Sequence, residues 1–260
     1  MELKLFYTIV VFIFGLIFGS FFNVVGWRLP LGLSIVRPSG SFCPKCKHKL
    51  KWYENIPVLS WLIQGGKCRN CKKPIPKFYI IIETLTGILF ALSYWIFGFS
   101  FGFVVAILVS SFFVIVIVSD SNFLVIPDEV TLFFSILVII MRLIINGYNN
   151  AILYFGYGLG SFVIMYLLML LGNFMFKKES LGGGDIKLMF FIGCCLGPWM
   201  SLFTIFLSSF IALPLSLILY FKSKDNVIPY GPFLLIATLI IVLFKMDVNT
   251  VLHFVMNIGV

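Results

Sequence analysis

Apolar runs close to the ~20 residues that a helix needs to cross a bilayer recur along most of this 260-residue chain. That recurrence limits the fold more than any single residue does, because backbone placed in lipid must satisfy its own hydrogen bonds. The first run spans about 6–27 and ends at Arg28 and Pro30. Only Lys4 precedes it and no small-residue cleavage site interrupts it, so it reads as a retained helix rather than a signal peptide. Further helices are expected near 78–97, 102–118, 128–146, 151–176, 186–198, 200–221 and 230–246. Gly98, Asn146-Gly147, Gly182-Gly183-Gly184, Gly197-Pro198 and Pro229 punctuate them. The expected fold is an all-α polytopic membrane protein of about eight transmembrane helices, the run at 186–198 being short for a full span. With 11% charged residues, against about 25% in soluble domains, the chain is neither a soluble enzyme nor a secreted disulfide scaffold nor a disordered polymer. No internal repeat is expected, and the tail 248–260 is too short to cross alone.

The net charge of +9 is not spread evenly. Eleven of the nineteen Lys and Arg residues lie between Arg28 and Lys77, with one acid, Glu54. In a membrane protein such clustering marks the cytoplasmic side. With the insert 28–77 on that side, an eight-helix path places the breaks near 119–127, 177–185 and 222–229 with it. Lys177, Lys178, Lys187, Lys222 and Lys224 then join the cytoplasmic side, leaving Lys4, Arg142 and Lys245 opposite and the amino terminus outside. No basic stretch interleaved with aromatic residues suggests a base-stacking surface, so no nucleic-acid partner is expected.

Within the insert, Cys43-Pro-Lys-Cys46 and Cys68-Arg-Asn-Cys71 form two CxxC pairs 21 residues apart. Four thiolates so spaced suit a tetrahedral Zn²⁺ site, making the insert zinc-ribbon-like. Neighbouring Lys45, Lys47, Lys67, Arg69 and Lys72 favour thiolate. Two disulfides or a redox CxxC are the alternatives; a reducing cytoplasm disfavours the former. With all four positions filled by protein, the metal would be structural. His48 is expected at the surface, and Cys194 and Cys195 as packing residues in an apolar helix.

Ten acids make each one beside an apolar run informative. Asp120 closes the run ending at Ser119, Asp128 follows in Ile126-Pro127-Asp128-Glu129, and Asp185 follows Gly182-Gly183-Gly184 with Lys187 two residues on. All three are expected at the cytoplasmic boundary, with Glu83 one to two turns inside the second helix. Ordinary roles compete: an acid in a helix's first turn for Asp128, structural pairing or site support for Glu83, interfacial solvation for Asp120 and Asp185. The glycines ahead of Asp185 let backbone pass close to another chain. Two carboxyl groups in one site share a proton and can hydrolyse an amide with water. The only histidines are His48 and His253, so no serine triad competes.

Taken in order, these segments resemble the bacterial type IV prepilin peptidases (prepilin leader peptidase/N-methyltransferases), membrane aspartic proteases of the GxGD class. The resemblance rests on Gly19-Ser20-Phe21-Phe22-Asn23-Val24-Val25, Arg28-Leu29-Pro30, the CxxC pairs flanking Asn55-Ile56-Pro57-Val58-Leu59-Ser60-Trp61-Leu62, and Tyr79 with Glu83. It continues in Asp120 with Ile126-Pro127-Asp128, Gly182-Gly183-Gly184-Asp185-Ile186-Lys187-Leu188 and Ile228-Pro229-Tyr230-Gly231-Pro232-Phe233. Asn122 stands where many members carry another acid. The resemblance implies that Asp120 and Asp185 are catalytic, with Asp128, Glu83, Lys187, Gly182 and Gly184 in support. It implies cleavage of short basic leaders from type IV prepilins or pseudopilins after Gly, at the cytoplasmic face of the bacterial inner membrane. It further implies N-methylation of the new terminus from S-adenosylmethionine by residues 1–97, with residues 98–260 forming the peptidase part. A presenilin-type GxGD intramembrane protease, or a zinc-stabilised transporter or assembly scaffold, are the competing classes.

Overall fold

A computed structural model of the chain describes residues 2–37, 40–177, 181–222 and 229–251. Expectations placed on Lys178, Lys224, Ile228, His253 and most of the tail 248–260 fall outside those residues. Among the described residues there are nine α-helices: α1 (Glu2–Arg28), α2 (Leu59–Ile63), α3 (Phe78–Phe97), α4 (Phe101–Phe123), α5 (Asp128–Asn146), α6 (Tyr148–Phe176), α7 (Gly183–Leu196), α8 (Pro198–Lys222) and α9 (Gly231–Leu243). Five segments are long and apolar enough to cross a membrane: Glu2–Leu31, Phe78–Phe97, Phe101–Phe123, Tyr148–Met175 and Pro198–Ile218. The helix Gly231–Leu243 is apolar but shorter. The chain divides into two compact units, Met1–Phe103 and Val104–Val260.

In the first unit α1 packs along α3. Gly15 and Gly19 allow the approach: a β-carbon on Gly15 would stand 2.7 Å from the Gly87 Cα, and one on Gly19 2.9 Å from the Glu83 Cα. Small residues four apart are the means by which helices meet closely where lipid offers no hydrophobic drive. The other face of α1 exposes Ile9, Ile13, Phe14, Ile17, Phe18 and Phe21, as a lipid-facing surface does. Arg28 ends α1 by donating to the carbonyls of Ser34, Ile35 and Gly40, which pins the start of the insert.

The second unit is built around α4, whose Phe112 is enclosed, stacked on Phe134 of α5 at 5.2 Å and edge-on to Phe191 of α7 at 4.6 Å. Two expected breaks differ. Helix α4 runs on to Phe123 instead of ending near 118, because Asn122 bonds back to the Val118 carbonyl and Leu124, at φ 54°, makes the stop. Helix α7 starts at Gly183 instead of 186: Gly182 alone stays extended, and Gly183 and Gly184 join the first turn. The expected glycine loop is therefore mostly helix.

Candidate active site and metal centre

The ends of α4, α5, α7 and α9 assemble one cluster in the second unit. Asp120 sits in the last turn of α4, Asp128 opens α5, Asp185 lies in the first turn of α7 and Gly231 opens α9. Gly231 is the hub: a β-carbon there would stand 3.3 Å from Asp120 Oδ2, 3.2 Å from Leu188 Cδ1 and 2.7 Å from Ile126 Cδ1. Gly184 meets the same Ile126 side chain at 3.1 Å. Asp120 and Asp185 are thus brought to one place from opposite halves of the unit's sequence, near enough for each to feel the other's charge. Both are buried, at 5% and 8% exposure.

Their surroundings differ in detail. Asp185 reaches back to the Gly182 backbone N–H, the acidic half of a capping box, so a helix-start role and nearness to Asp120 coexist in one residue. Gly182 also keeps space open, since a β-carbon on it would stand 3.2 Å from Asp185 Oδ2. Among the described residues no cation pairs with either carboxylate. Asp128 points elsewhere, taking Lys187 Nζ at 2.7 Å on both oxygens in an exposed pair. That pair ties the start of α5 to the start of α7. Tyr230, ahead of Gly231, is held by a 2.6 Å hydrogen bond to Ser208 of α8.

The remaining site residues of the sequence reading belong to the first unit. Glu83 accepts the Val58 N–H at 2.7 Å and the Ser20 hydroxyl, tying α3 to α1 and to the segment before α2. Val58 has φ 61°, a conformation that costs a β-branched residue about 1–3 kcal/mol, and the Glu83 bond helps hold it there.

The four cysteines converge. Their sulfurs all lie within 4.8 Å of one another, with Cys43–Cys71 and Cys46–Cys68 at 3.9 Å. Four Zn–S bonds of about 2.3 Å in a tetrahedron give S···S edges of about 3.8 Å, so the donor set fits zinc. The two knuckles repeat each other: Cys43 N–H bonds the His48 carbonyl and Cys68 N–H the Lys73 carbonyl, both at 2.9 Å, and Lys47 and Lys72 both have positive φ. This short internal repeat was not expected from the sequence, because only its cysteines and the lysine after each pair, Lys47 and Lys72, match. The backbone N–H of His48 lowers the Cys46 thiol to about 6, and that of Cys71 lowers Cys68. Cys71 rises to about 11: the Lys73 N–H pulls it down, but burial and proton sharing with the other three thiols prevail.

Three residues went unassigned in the sequence reading. Glu54, the lone acid of the insert, joins the two knuckles by accepting from Lys51 N–H at 2.9 Å and pairing His48 at 3.3 Å and Arg69 at 3.9 Å. His48 is accordingly half-buried rather than a plain surface residue. Arg142, counted only as a charge on the outer side, is buried in α5 with its guanidinium on α7 carbonyls; a charge inside an apolar run was the signal. Gly231 carried a signal only through its motif.

Comparison with known proteins follows this division. The model of the bacterial peptidase A24 N-terminal domain matches residues 13–97, and that of the type IV leader peptidase family matches 107–217. A prepilin leader peptidase/N-methyltransferase of Bacillus subtilis is 37% identical over 74% of this chain and 74% of its own. One of Legionella pneumophila is 32% identical over 90% of both chains. One of Myxococcus xanthus is 36% identical over 77% of this chain, which spans 59% of that relative's length. No solved structure matches the chain.

Proposed function

Since the chain belongs to the type IV prepilin leader peptidase family, we propose that it is a membrane aspartic endopeptidase whose catalytic pair is Asp120 and Asp185. The observation that carries this reading is the convergence of these two buried carboxylates, which pair with no cation among the described residues, at the meeting of the α4 end with the α7 start. Two like charges so placed cannot both ionise cheaply, so the pair holds one proton. The ionised member takes a proton from a water as its oxygen attacks the scissile carbonyl carbon, and the protonated member gives its proton to the carbonyl oxygen. Collapse of the resulting diol breaks the C–N bond, with a carboxyl proton passing to the departing nitrogen. Gly182, Gly184 and Gly231 leave room for an extended peptide backbone beside the pair.

The substrate we assign is a type IV prepilin or pseudopilin, cut after Gly at the cytoplasmic face of the bacterial inner membrane. An apolar substrate helix in the bilayer fixes the depth of the bond to be cut, and confinement to two dimensions supplies part of the proximity. All eight long helices, α1 and α3 to α9, cross the membrane in this reading, with the amino terminus outside. Zn²⁺ held by Cys43, Cys46, Cys68 and Cys71 fixes the fold of the insert and supplies no chemistry. Methyl transfer from S-adenosylmethionine to the new terminus is suggested by the names of the relatives, and we assign it to residues 1–97 as the family resemblance implies. A cavity of about 280 Å³ lined by Ile17, Ser20, Phe21, Arg28, Asn55 and Pro57 lies in that unit.

The test is cleavage of a prepilin-like substrate in membranes by the wild type, Asp120→Asn and Asp185→Asn. Each variant should fold and lose cleavage by a factor on the order of 10⁴; full activity in either removes the assignment. Mass spectrometry of the same product reads methylation, and a product that stays unmethylated with the donor present removes the second activity.

A further inference from the structure

We propose that Arg142 is a positioning residue for the carboxylate pair, acting through α7 by locking that helix lengthwise and so setting the separation of Asp185 from Asp120. The inference rests on the reading of Asp120 and Asp185 as the catalytic pair and goes beyond it.

Arg142 lies in the last turns of α5 and is 8% exposed. Its Nε donates to the Cys194 carbonyl at 3.0 Å and its Nη2 to the Cys195 carbonyl at 2.6 Å. Both carbonyls belong to the last turn of α7, where helical carbonyls lack partners of their own. A cation there also meets the negative end of the helix dipole. The guanidinium stacks on Tyr154 of α6, 3.3 Å from the ring centre. A planar fork on two successive carbonyls fixes both the height and the rotation of the helix end, which an ammonium would not.

Such a lock has work to do in this unit. On its α6 side α7 packs closely through Gly193, where a β-carbon would meet the Tyr157 carbonyl at 2.7 Å and the Gly158 Cα at 2.9 Å, and Phe190 lies edge-on to Phe155. These contacts are van der Waals contacts, whereas Arg142 holds the end of α7 by directional bonds to its carbonyls. At the other end of α7, the Lys187–Asp128 pair is 49% and 66% exposed, and such pairs are weak. Arg142 is therefore a buried, hydrogen-bonded restraint on a short stiff helix that carries Asp185 in its first turn. A helix moves as a rod, so a displacement at Cys194 is passed to Asp185. A misplacement of 1 Å costs catalysis roughly 10²-fold. The charged group facing Asp185 is Asp120 from α4, the Lys187–Asp128 pair lying on another flank of α7; facing Arg142 are Tyr154 from α6 and Cys194 and Cys195 from α7.

The test uses the full-length protein in membranes. Arg142→Met should lower kcat by about 10²-fold with KM nearly unchanged. The two limbs of its pH–rate profile should draw together, because looser carboxylates couple less. Arg142→Lys, which keeps the charge and one bond, should recover part of both. A purely structural role would lower the melting temperature while leaving kcat and the profile of the folded enzyme as in the wild type, and that result overturns the proposal. Should Arg142→Met not fold, Arg142→Lys and Arg142→Gln each remove one carbonyl bond, and wild-type profiles in both overturn it. Persistent cleavage in Asp120→Asn or Asp185→Asn overturns instead the reading beneath it.

Discussion

In the insert, Trp52, Leu59, Leu62 and Ile63 are exposed while Cys43, Cys68 and Glu54 are buried. In residues 104–251 the inside is apolar, with Phe112, Leu188, Phe191 and Leu235 fully enclosed. The buried acids differ in the same way. Glu54 has a backbone N–H, a histidine and an arginine around it, whereas Asp120 has no such partner among the described residues. An acid that holds a fold is surrounded by donors. An acid kept for chemistry is buried with its valences open, at a cost that the surrounding core must offset.

The largest expected effect comes from removing the metal. A module whose interior is thiolates draws its folding energy from zinc, about 10–16 kcal/mol in small zinc peptides. Cys43→Ser, or a strong chelator, should empty the site and open residues 43–71 to proteolysis while α4 to α9 keep their helicity. Zinc analysis and limited proteolysis check this. An insert that stays resistant without metal would mean that its few apolar contacts suffice.

How much of this was legible beforehand follows from the same contrast. Helix placement was legible because lipid demands long apolar runs, and the cysteine tetrahedron because sulfur ligands come at fixed spacing. The helix ends at Asp120 and Asp185 were displaced by a few residues, since ends are set by local bonds such as Asn122 to the Val118 carbonyl. The company kept by Glu54, Arg142 and Gly231 was hidden, because each meets its partners only after distant segments pack. Among the acids, sequence supplied candidates; burial beside each other is what separates Asp120 and Asp185 from the exposed Asp128.

A smaller effect is expected at Glu54. The Lys51 N–H, then His48 and Arg69, hold its carboxyl below the ordinary value of 4.5. A carboxylate so lowered contributes stability that is fully present above the unfolded value and is lost as pH falls through the folded one. Glu54→Gln should therefore cost the zinc-loaded insert about 1 kcal/mol at neutral pH. The gap between wild type and variant should stay constant down to about pH 4.5 and close below it. Insert unfolding followed against pH in both proteins checks this, and a gap that widens in acid would contradict the assignment. No such acid-closing gap is expected from a change at Phe112 or Leu235, where nothing titrates.

The weakest effect should come from Lys187, and its weakness is informative. At 100° per residue a side chain two positions on points about 200° around the helix, so Lys187 faces away from the flank that carries Asp185 and reaches Asp128 instead. Both partners are largely exposed, so their attraction is screened and worth about 0.5 kcal/mol or less. Lys187→Met should lower cleavage by no more than a few-fold and shift the pH–rate profile little, and raising the salt should reproduce the change in the wild type. Set beside Arg142→Met, it compares an exposed and a buried restraint on one helix, α7. A loss at Lys187 as large as that at Arg142 would mean that Lys187 contacts the substrate peptide itself at the start of α7.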